Sequence, residues 1–283
     1  MTPILNASGC LDALTAPEIA QSLDAFVTKT VTPLPREGNP PPRIAEVECG
    51  MLNSIGLQNP GIERFLAENL PRLSALGVPI WVSVGGFSAP DYTAVCEQLD
   101  DRAEIETIEL NLSCPNVEEA PETAAELVAA ARGVTSKPLY AKLSPATWDV
   151  AESARAVAHA GADGLSLVNT IRGLALDPTT RRPKLARGAG GYSGPGLRPI
   201  ALACVHVCAA AVDLPIVGMG GIASADHAND FVSAGASAVA LGTVLFADPW
   251  APARIRSELE HEGTAAVTDR LPIGRRSVSS PMV

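Results

Sequence analysis

The sequence lacks three features that would each assign a chain to a broad class of proteins. It has no cluster of lysine and arginine, and its net charge is -10, which argues against nucleic acid or an anionic membrane as a partner. No apolar stretch reaches the length of a membrane span, since even the weakly charged segment 199–212 contains His206. No secretory signal is visible at the N-terminus. We therefore expect a cytoplasmic protein.

The cysteine pattern also excludes several kinds of site. The six cysteines are irregularly spaced, and no Cys-x-x-Cys motif is present, so we expect reduced thiols and neither a structural zinc nor an iron–sulfur cluster in this chain. Cys204 and Cys208 are one helical turn apart, but no neighbouring His or Cys pair could complete a metal site. We expect these two cysteines to pack within a helix, and we predict no metal site.

Short β-branched runs alternate with alanine-rich amphipathic segments along the chain. Segments of helical length occur at 62–76, 121–132, 151–160 and 225–234. Eight alternations of strand and helix are the pattern of a (β/α)₈ TIM barrel, and we expect one such domain over residues 1–283. The predicted strands are residues 26–30, 52–55, 80–84, 108–112, 139–143, 164–168, 215–219 and 238–241.

Two connections are too long and too rich in glycine and proline to be simple helices. Residues 32–49 contain five prolines and are predicted to form an extended loop or a strand pair, and residues 173–194 contain a glycine-rich run. TIM barrels place their chemistry on the loops that follow the strands. We therefore expect both connections to lie over the functional end of the barrel.

The residues at the predicted strand ends share a polar theme of lysines, amides and glycine pairs. Glycines after strands seven and eight are where barrels commonly bind phosphate through backbone N–H groups, and Ser224 is a plausible N-cap for the helix that follows. Together with the lysines, this suggests a phosphorylated organic cofactor. Lys142 could stabilise the negative charge of a reduced flavin, or it could form a Schiff base as in barrel aldolases.

One run stands out among the strand ends, because Asn111-Leu-Ser-Cys-Pro-Asn116 places a thiol between two amide side chains. With this run, the chain resembles the class 1 dihydroorotate dehydrogenases from about Asn6 to Pro249. The amino-acid sequences at residues 40–43 and 56–61 resemble those of the class 1B catalytic subunit more than those of the fumarate-using class 1A enzyme. The other matching motifs are residues 6–9, 28–30, 36–43, 53–61, 141–144, 168–170, 218–221 and 241–243.

The resemblance implies oxidation of (S)-dihydroorotate to orotate in pyrimidine biosynthesis. Cys114 would remove the C5 proton as the base, while a hydride leaves C6 for N5 of the cofactor FMN. The residues implied for the substrate are Lys29, Asn53, Ser54, Ile55, Gly56, Leu57, Asn111, Asn116, Asn169 and Thr170. Those implied for the flavin are Ser8, Lys29, Thr30, Ser83, Asn111, Lys142, Val168 and Gly194, with Gly220, Gly221, Gly242 and Thr243 at its phosphate.

The sequence departs from the class 1B pattern in three places. Ser83 stands where an asparagine usually contacts the flavin, residues 117–121 form a shorter segment than the family's lid, and residues 10–14 replace a Gly/Phe-rich turn. These departures keep a second hypothesis open, an FMN oxidoreductase acting on another cyclic amide or dihydropyrimidine. A Schiff-base aldolase that uses Lys142 and a non-catalytic flavin subunit are further alternatives.

The class 1B resemblance also implies partners. Such a catalytic subunit pairs with a subunit that carries FAD and a [2Fe–2S] cluster and passes electrons to NAD⁺. Reduction of fumarate or of a quinone stays open as an alternative. A homodimeric core is a further expectation for barrels of this kind.

Overall fold

The computed structural model describes residues 2–112 and 123–268. In this part of the chain the strands are β1 (Ile4–Asn6), β2 (Phe26–Val27), β3 (Ile44–Val47), β4 (Gly50–Asn53), β5 (Ile80–Val84), β6 (Ile105–Asn111), β7 (Leu139–Leu143), β8 (Gly164–Leu167), β9 (Ile171–Gly173), β10 (Gly190–Ser193), β11 (Ile216–Met219) and β12 (Ala238–Leu241). The helices are α1 (Pro17–Ala20), α2 (Ile62–Arg64), α3 (Leu70–Ser74), α4 (Ala89–Asp100), α5 (Ala124–Arg132), α6 (Val150–His159), α7 (Arg198–Ala209), α8 (Ala225–Ser233), α9 (Val244–Ala247) and α10 (Ala251–Thr268). A π-helical segment, Phe65–Asn69, joins α2 to α3, and a 3₁₀ turn, Pro195–Leu197, precedes α7.

Eight parallel strands form a barrel in the order β1-β12-β11-β8-β7-β6-β5-β2. A parallel bridge between Leu5 and Ala25 joins its two ends. Helices between the strands pack against the outside of the barrel, where the larger apolar core lies. The predicted (β/α)₈ barrel is confirmed.

One predicted barrel strand is wrong. Residues 52–55 were expected to form the second strand, but β4 belongs to a separate antiparallel sheet of order β3-β4-β10-β9. The strand that completes the barrel is β1, which has only three residues and is too short to show a periodic pattern. In β4 only Leu52 is fully buried, as suits a sheet with one covered face.

The antiparallel sheet is built from the two long connections. Residues 32–49 contribute one strand, β3, and its partner β4 begins just after this connection, so the strand pair extends beyond the predicted segment. The connection after β8 contributes β9 and β10. Because both connections follow barrel strands at their carboxyl ends, the small sheet covers that end of the barrel.

The N-cap predicted at Ser224 is confirmed, and local capping defines the ends of other helices. The Oγ of Ser224 accepts a hydrogen bond from the N–H of His227 and caps α8. Thr123 and Glu126 form a reciprocal capping box at the start of α5. Gly161 and Gly235, which follow α6 and α8, have φ of +104° and +114°, as expected for left-handed helix stops.

A smaller apolar cluster fills the interior of the barrel below its carboxyl end. It contains Trp81, whose ring centroid lies 4.6 Å from that of Tyr140, and it extends to Met219 of β11.

Cys204 and Cys208 are buried on α7 as predicted, and burial raises the pKa of Cys208 to about 12. No helix among the described residues is long and apolar enough to cross a membrane.

Candidate active site

A cavity lies between the carboxyl end of the barrel and the antiparallel sheet. Its walls come from the segments that follow β1, β2, β6, β7, β8, β11 and β12, and from β3, β4 and β10 of the small sheet. Most residues that the sequence assigned to a site meet here. They are Ser8, Lys29, Thr30, Asn53, Ile55, Gly56, Leu57, Asn111, Lys142, Val168, Asn169, Thr170, Gly194, Gly220, Gly221, Gly242 and Thr243.

Amide and hydroxyl side chains from different strands form one hydrogen-bonded row across the cavity floor. Asn169 Nδ2 donates to Asn111 Oδ1 at 3.0 Å, and Asn111 Nδ2 donates to Thr30 Oγ1 at 3.2 Å. The Thr30 hydroxyl also lies 3.1 Å from that of Ser83 and 3.4 Å from that of Ser8. Because each amide is oriented by a partner, the row presents fixed donors and acceptors to a ligand.

Both charged side chains in the described lining are lysines. Lys142, on β7, is 5% exposed, and its Nζ lies 3.4 Å from Oε1 of Glu109 on β6. The Lys29 side chain packs over Gly9. A Cβ on residue 9 would lie 2.8 Å from Lys29 Cδ, so glycine is the residue that fits beneath this side chain. A cavity that offers cations and no acid in its described lining favours an anionic ligand.

Glycines form one end of the cavity. Gly194, Gly220 and Gly221 have φ of +106°, +131° and +76°, and they pack closely enough that a Cβ on Gly221 would lie 2.7 Å from the Gly194 carbonyl oxygen. Gly242 and Thr243, between β12 and α9, adjoin them in the lining. Thr243 Oγ1 donates to Ser193 Oγ at 2.8 Å. Glycines leave backbone N–H groups exposed, and such groups can bind a phosphate.

The cavity contains a cysteine that the sequence did not assign to the site. Cys10 follows β1 and lines the cavity beside Gly242. Burial raises the pKa of its thiol, while the charges of Lys142 and Lys29 act in the opposite direction. The thiol is therefore protonated at neutral pH, which makes Cys10 unsuitable as a base there.

Two predicted residues, Ser54 and Ser83, are not in the described lining of the cavity, and two others lie outside the described residues. Ser54 is buried behind it and accepts a hydrogen bond from Asn39 Nδ2 at 2.9 Å. Ser83 is buried beneath Thr30, so its hydroxyl bonds to another residue of the row. Cys114 and Asn116, together with the short segment 117–121, lie outside the described residues.

Other lining residues were missed by the sequence reading. Most lie on the small sheet or follow β1, neither of which the eight-strand prediction placed correctly. The only available signal was proximity in sequence to a predicted residue, as for Ser193 beside Gly194. They are Ala7, Gly9, Cys10, Ile44, Met51, Ser193, Leu197, Met219 and Phe246.

Comparison with known proteins identifies the family to which this barrel belongs. Residues 1–262 match the family model described as dihydroorotate dehydrogenase. The chain is 44% identical to the "Dihydroorotate dehydrogenase B (NAD(+)), catalytic subunit" of Listeria monocytogenes over 91% of this chain and 88% of the relative. The protein of the same name from Bacillus thuringiensis is 44% identical, with 91% and 86% covered. A Solibacter usitatus protein, provisionally named a dihydroorotate dehydrogenase A (fumarate), is also 44% identical, with 95% and 98% covered. The chain belongs to the dihydroorotate dehydrogenase family.

Proposed function

We propose that this chain, as a single flavin-binding domain, oxidises (S)-dihydroorotate to orotate in pyrimidine biosynthesis. The observation that carries the proposal is the cavity itself, in which two lysines, a row of oriented amides and a glycine-lined end meet. Orotate is a planar anion with alternating N–H and C=O groups, which matches lysine and amide partners. Family membership favours this oxidation over the Schiff-base chemistry that the sequence left open for Lys142.

FMN is the proposed cofactor, and the residues present fit it. The glycine-lined end formed by Gly194, Gly220 and Gly221 leaves backbone exposed where the phosphate would bind, with Gly242 and Thr243 beside it. Lys142 would face the flavin ring from the barrel interior, and Ser8, Thr30 and Val168 would contact its edges. When bound, FMN supplies the two-electron acceptor for the reaction.

The remaining polar groups would hold the substrate. Asn111 and Asn169 are linked side chain to side chain, and Asn53 is oriented by donating to the Gly191 carbonyl oxygen at 3.3 Å. The Asn169 Oδ1 accepts from the N–H of Thr170 at 2.8 Å, which fixes the direction of its amide. Lys29 would neutralise the carboxylate of the substrate from the opposite wall.

Cys114 is the proposed base, although it lies outside the described residues. It lies three positions after Asn111, whose side chain is at the cavity floor, and an extended chain spans at most about 3.6 Å per residue. A thiolate can accept the C5 proton if positive charge nearby stabilises it, and the lysines supply such charge. We propose Asn116, two residues further on, as a substrate contact.

The proposed electron acceptor is NAD⁺, reached through a partner subunit with FAD and a [2Fe–2S] cluster. The names of the Listeria and Bacillus relatives support this acceptor, and the Solibacter relative supports fumarate instead. The described residues contain no group of three His, Cys, Asp or Glu side chains able to hold a metal. We further propose a homodimeric core and a cytoplasmic location, in which the described cysteines stay free as the structure shows them.

The proposal is tested by anaerobic addition of dihydroorotate to the purified FMN-loaded protein. We expect the flavin absorbance to bleach, and the reduced protein should then be reoxidised by NAD⁺ only after the partner subunit is added. Direct reoxidation by fumarate would instead assign the chain to the fumarate-using type. A flavin that stays oxidised with dihydroorotate would refute the proposed activity.

A second candidate, oxidation of another cyclic amide, is favoured by one observation. Ser83 is buried beneath Thr30, its hydroxyl lies 3.1 Å from that of Thr30, and it does not line the cavity, so it is not placed to supply the flavin contact of the usual asparagine. Binding of orotate with a dissociation constant weaker than millimolar would favour this candidate over dihydroorotate oxidation.

Replacing Asn111 by aspartate should weaken orotate binding at least tenfold. The carboxylate can accept from Asn169 and from the Thr30 hydroxyl, so the row keeps its shape, but a negative charge now faces an anionic ligand. A like charge a few Å away opposes binding by about 1.4 kcal/mol or more at an intermediate dielectric. Spectral titration of the bound flavin with orotate measures the effect. Gln58→Glu makes the same change at an exposed residue outside the lining and should leave orotate affinity near normal.

A further inference from the structure

Two charged residues stand apart from all others in the described part of the chain. Glu109 and Lys142 are the only charged side chains there that are buried, at 1% and 5% exposure. Their charged ends are 3.4 Å apart, Lys142 Nζ to Glu109 Oε1. Seven other ion pairs among the described residues, such as Arg132–Asp163, have side chains at least 24% exposed. This buried pair is therefore a different kind of interaction from the surface pairs.

Burial makes each member of the pair depend on the other. Removing a charge from water is unfavourable, and a buried pair is tolerated because each charge compensates its partner. A buried ammonium without a counter-charge releases its proton at a lower pH than an exposed one. The Glu109 carboxylate, 3.4 Å away, is therefore the group placed to compensate a positive charge on Lys142 at the floor of the cavity.

The barrel register places the two residues at different depths. Lys142 pairs across β6 and β7 with Asn111, and both line the cavity. Glu109 lies two residues earlier on β6 and does not line the cavity. The acid consequently contacts the lysine from the side away from any ligand, as expected of a residue that acts through another.

The other described groups that face this pair cannot replace Glu109. The titratable ones are Cys10 after β1, Lys29 after β2 and Tyr140 on β7, and burial raises the pKa values of Cys10 and Tyr140, which keeps both neutral. The remaining strands present uncharged side chains at these levels of the barrel. These are Ser83 on β5, Ser166 on β8, Met219 on β11 and Ala240 on β12.

We infer that Glu109 is a positioning residue that keeps Lys142 protonated and directed at the ligand in the cavity. The ligand's identity as FMN rests on the proposed function, but the pairing itself does not. Lys142 would thereby carry a full positive charge when negative charge develops on the flavin ring. Glu109 touches neither cofactor nor substrate in this arrangement.

The first test measures urea unfolding of the full chain, without added ligand, from pH 6 to pH 9. Glu109→Gln should raise the unfolding equilibrium constant most at pH 6, and the increase should shrink at least tenfold by pH 9. The sign follows because the folded variant then binds fewer protons at Lys142 than the unfolded chain, so its stability rises with pH. Adding Lys142→Met should abolish this pH dependence. Glu106→Gln, at an exposed residue of the same strand, should show none.

The second test uses the FMN-loaded protein. The flavin midpoint potential of Glu109→Gln should show an extra inflection with pH between 6 and 9 that wild type and Glu106→Gln lack. A pH-independent effect of Glu109→Gln in both measurements would overturn the inference. If Glu109→Gln alone does not fold, recovery of folded protein on adding Lys142→Met supports the pairing, and failure to recover overturns it. Absence of turnover with dihydroorotate would refute the proposed function and leave the unfolding result standing.

Discussion

Replacing Cys114 by alanine is expected to slow reduction of bound FMN by dihydroorotate about 10²–10⁴-fold, the usual contribution of a positioned general base. The residues that line the glycine end and the lysine side of the cavity are unchanged, so FMN should stay bound. Anaerobic stopped-flow absorbance measures the rate constant of flavin reduction, and the flavin-to-protein ratio measures occupancy. A variant that reduces its flavin at a rate near wild type would remove Cys114 from this role.

Cys10→Ala is the informative comparison, because it deletes a second thiol that lines the same cavity. Burial raises the pKa of Cys10, so this thiol is protonated at neutral pH and does not act as a base there. We expect Cys10→Ala to slow flavin reduction less than about tenfold, through packing beside Gly242 alone. If the Cys10 variant showed the large loss and the Cys114 variant did not, the base would be Cys10.

The strand ends could be predicted from sequence because their physical cause is local. A buried parallel strand is a short, mostly apolar run, and polar residues at or just after its carboxyl end, such as Lys142 and Asn169, mark that end. Parallel strands in one barrel then bring all such ends together, so residues far apart in sequence were correctly grouped. Asn111, Lys142 and Asn169 meet for this reason.

What the sequence could not predict depends on contacts between distant elements. β1 has three residues and is stabilised as a strand by pairing with β12, and β4 resembles a barrel strand but pairs with β3 and β10. The contact between Lys142 and Glu109 could not be predicted either, because it depends on the register in which β6 pairs with β7. Cys10 was missed because its exposure to the cavity follows from where β1 ends.

The second large effect is expected at the glycine-lined end of the cavity, where Gly221→Ala should weaken FMN binding about 10–100-fold. Gly221 has φ of +76°, and an added Cβ would lie 2.7 Å from the Gly194 carbonyl oxygen and 3.0 Å from Arg198 Cβ. The backbone must move to relieve this contact, which displaces N–H groups proposed to bind the phosphate. Hydrogen bonds to a charged group are worth about 1.5–3 kcal/mol, so losing one accounts for the expected change. Fluorescence titration of the FMN-free protein with FMN measures the dissociation constant.

Gly77→Ala separates the steric effect from backbone strain. Gly77 has φ of +70°, close to that of Gly221, but a Cβ there meets nothing within 4 Å, and the residue follows α3 away from the cavity. Both substitutions force alanine into the left-handed region at a cost of about 1–2 kcal/mol in folding free energy. We therefore expect similar strain-related destabilisation in both variants, but a loss of FMN affinity only in Gly221→Ala. If Gly221→Ala bound FMN as tightly as Gly77→Ala, the contact at Gly221 would have no effect on FMN binding. The phosphate would then be bound elsewhere in the cavity.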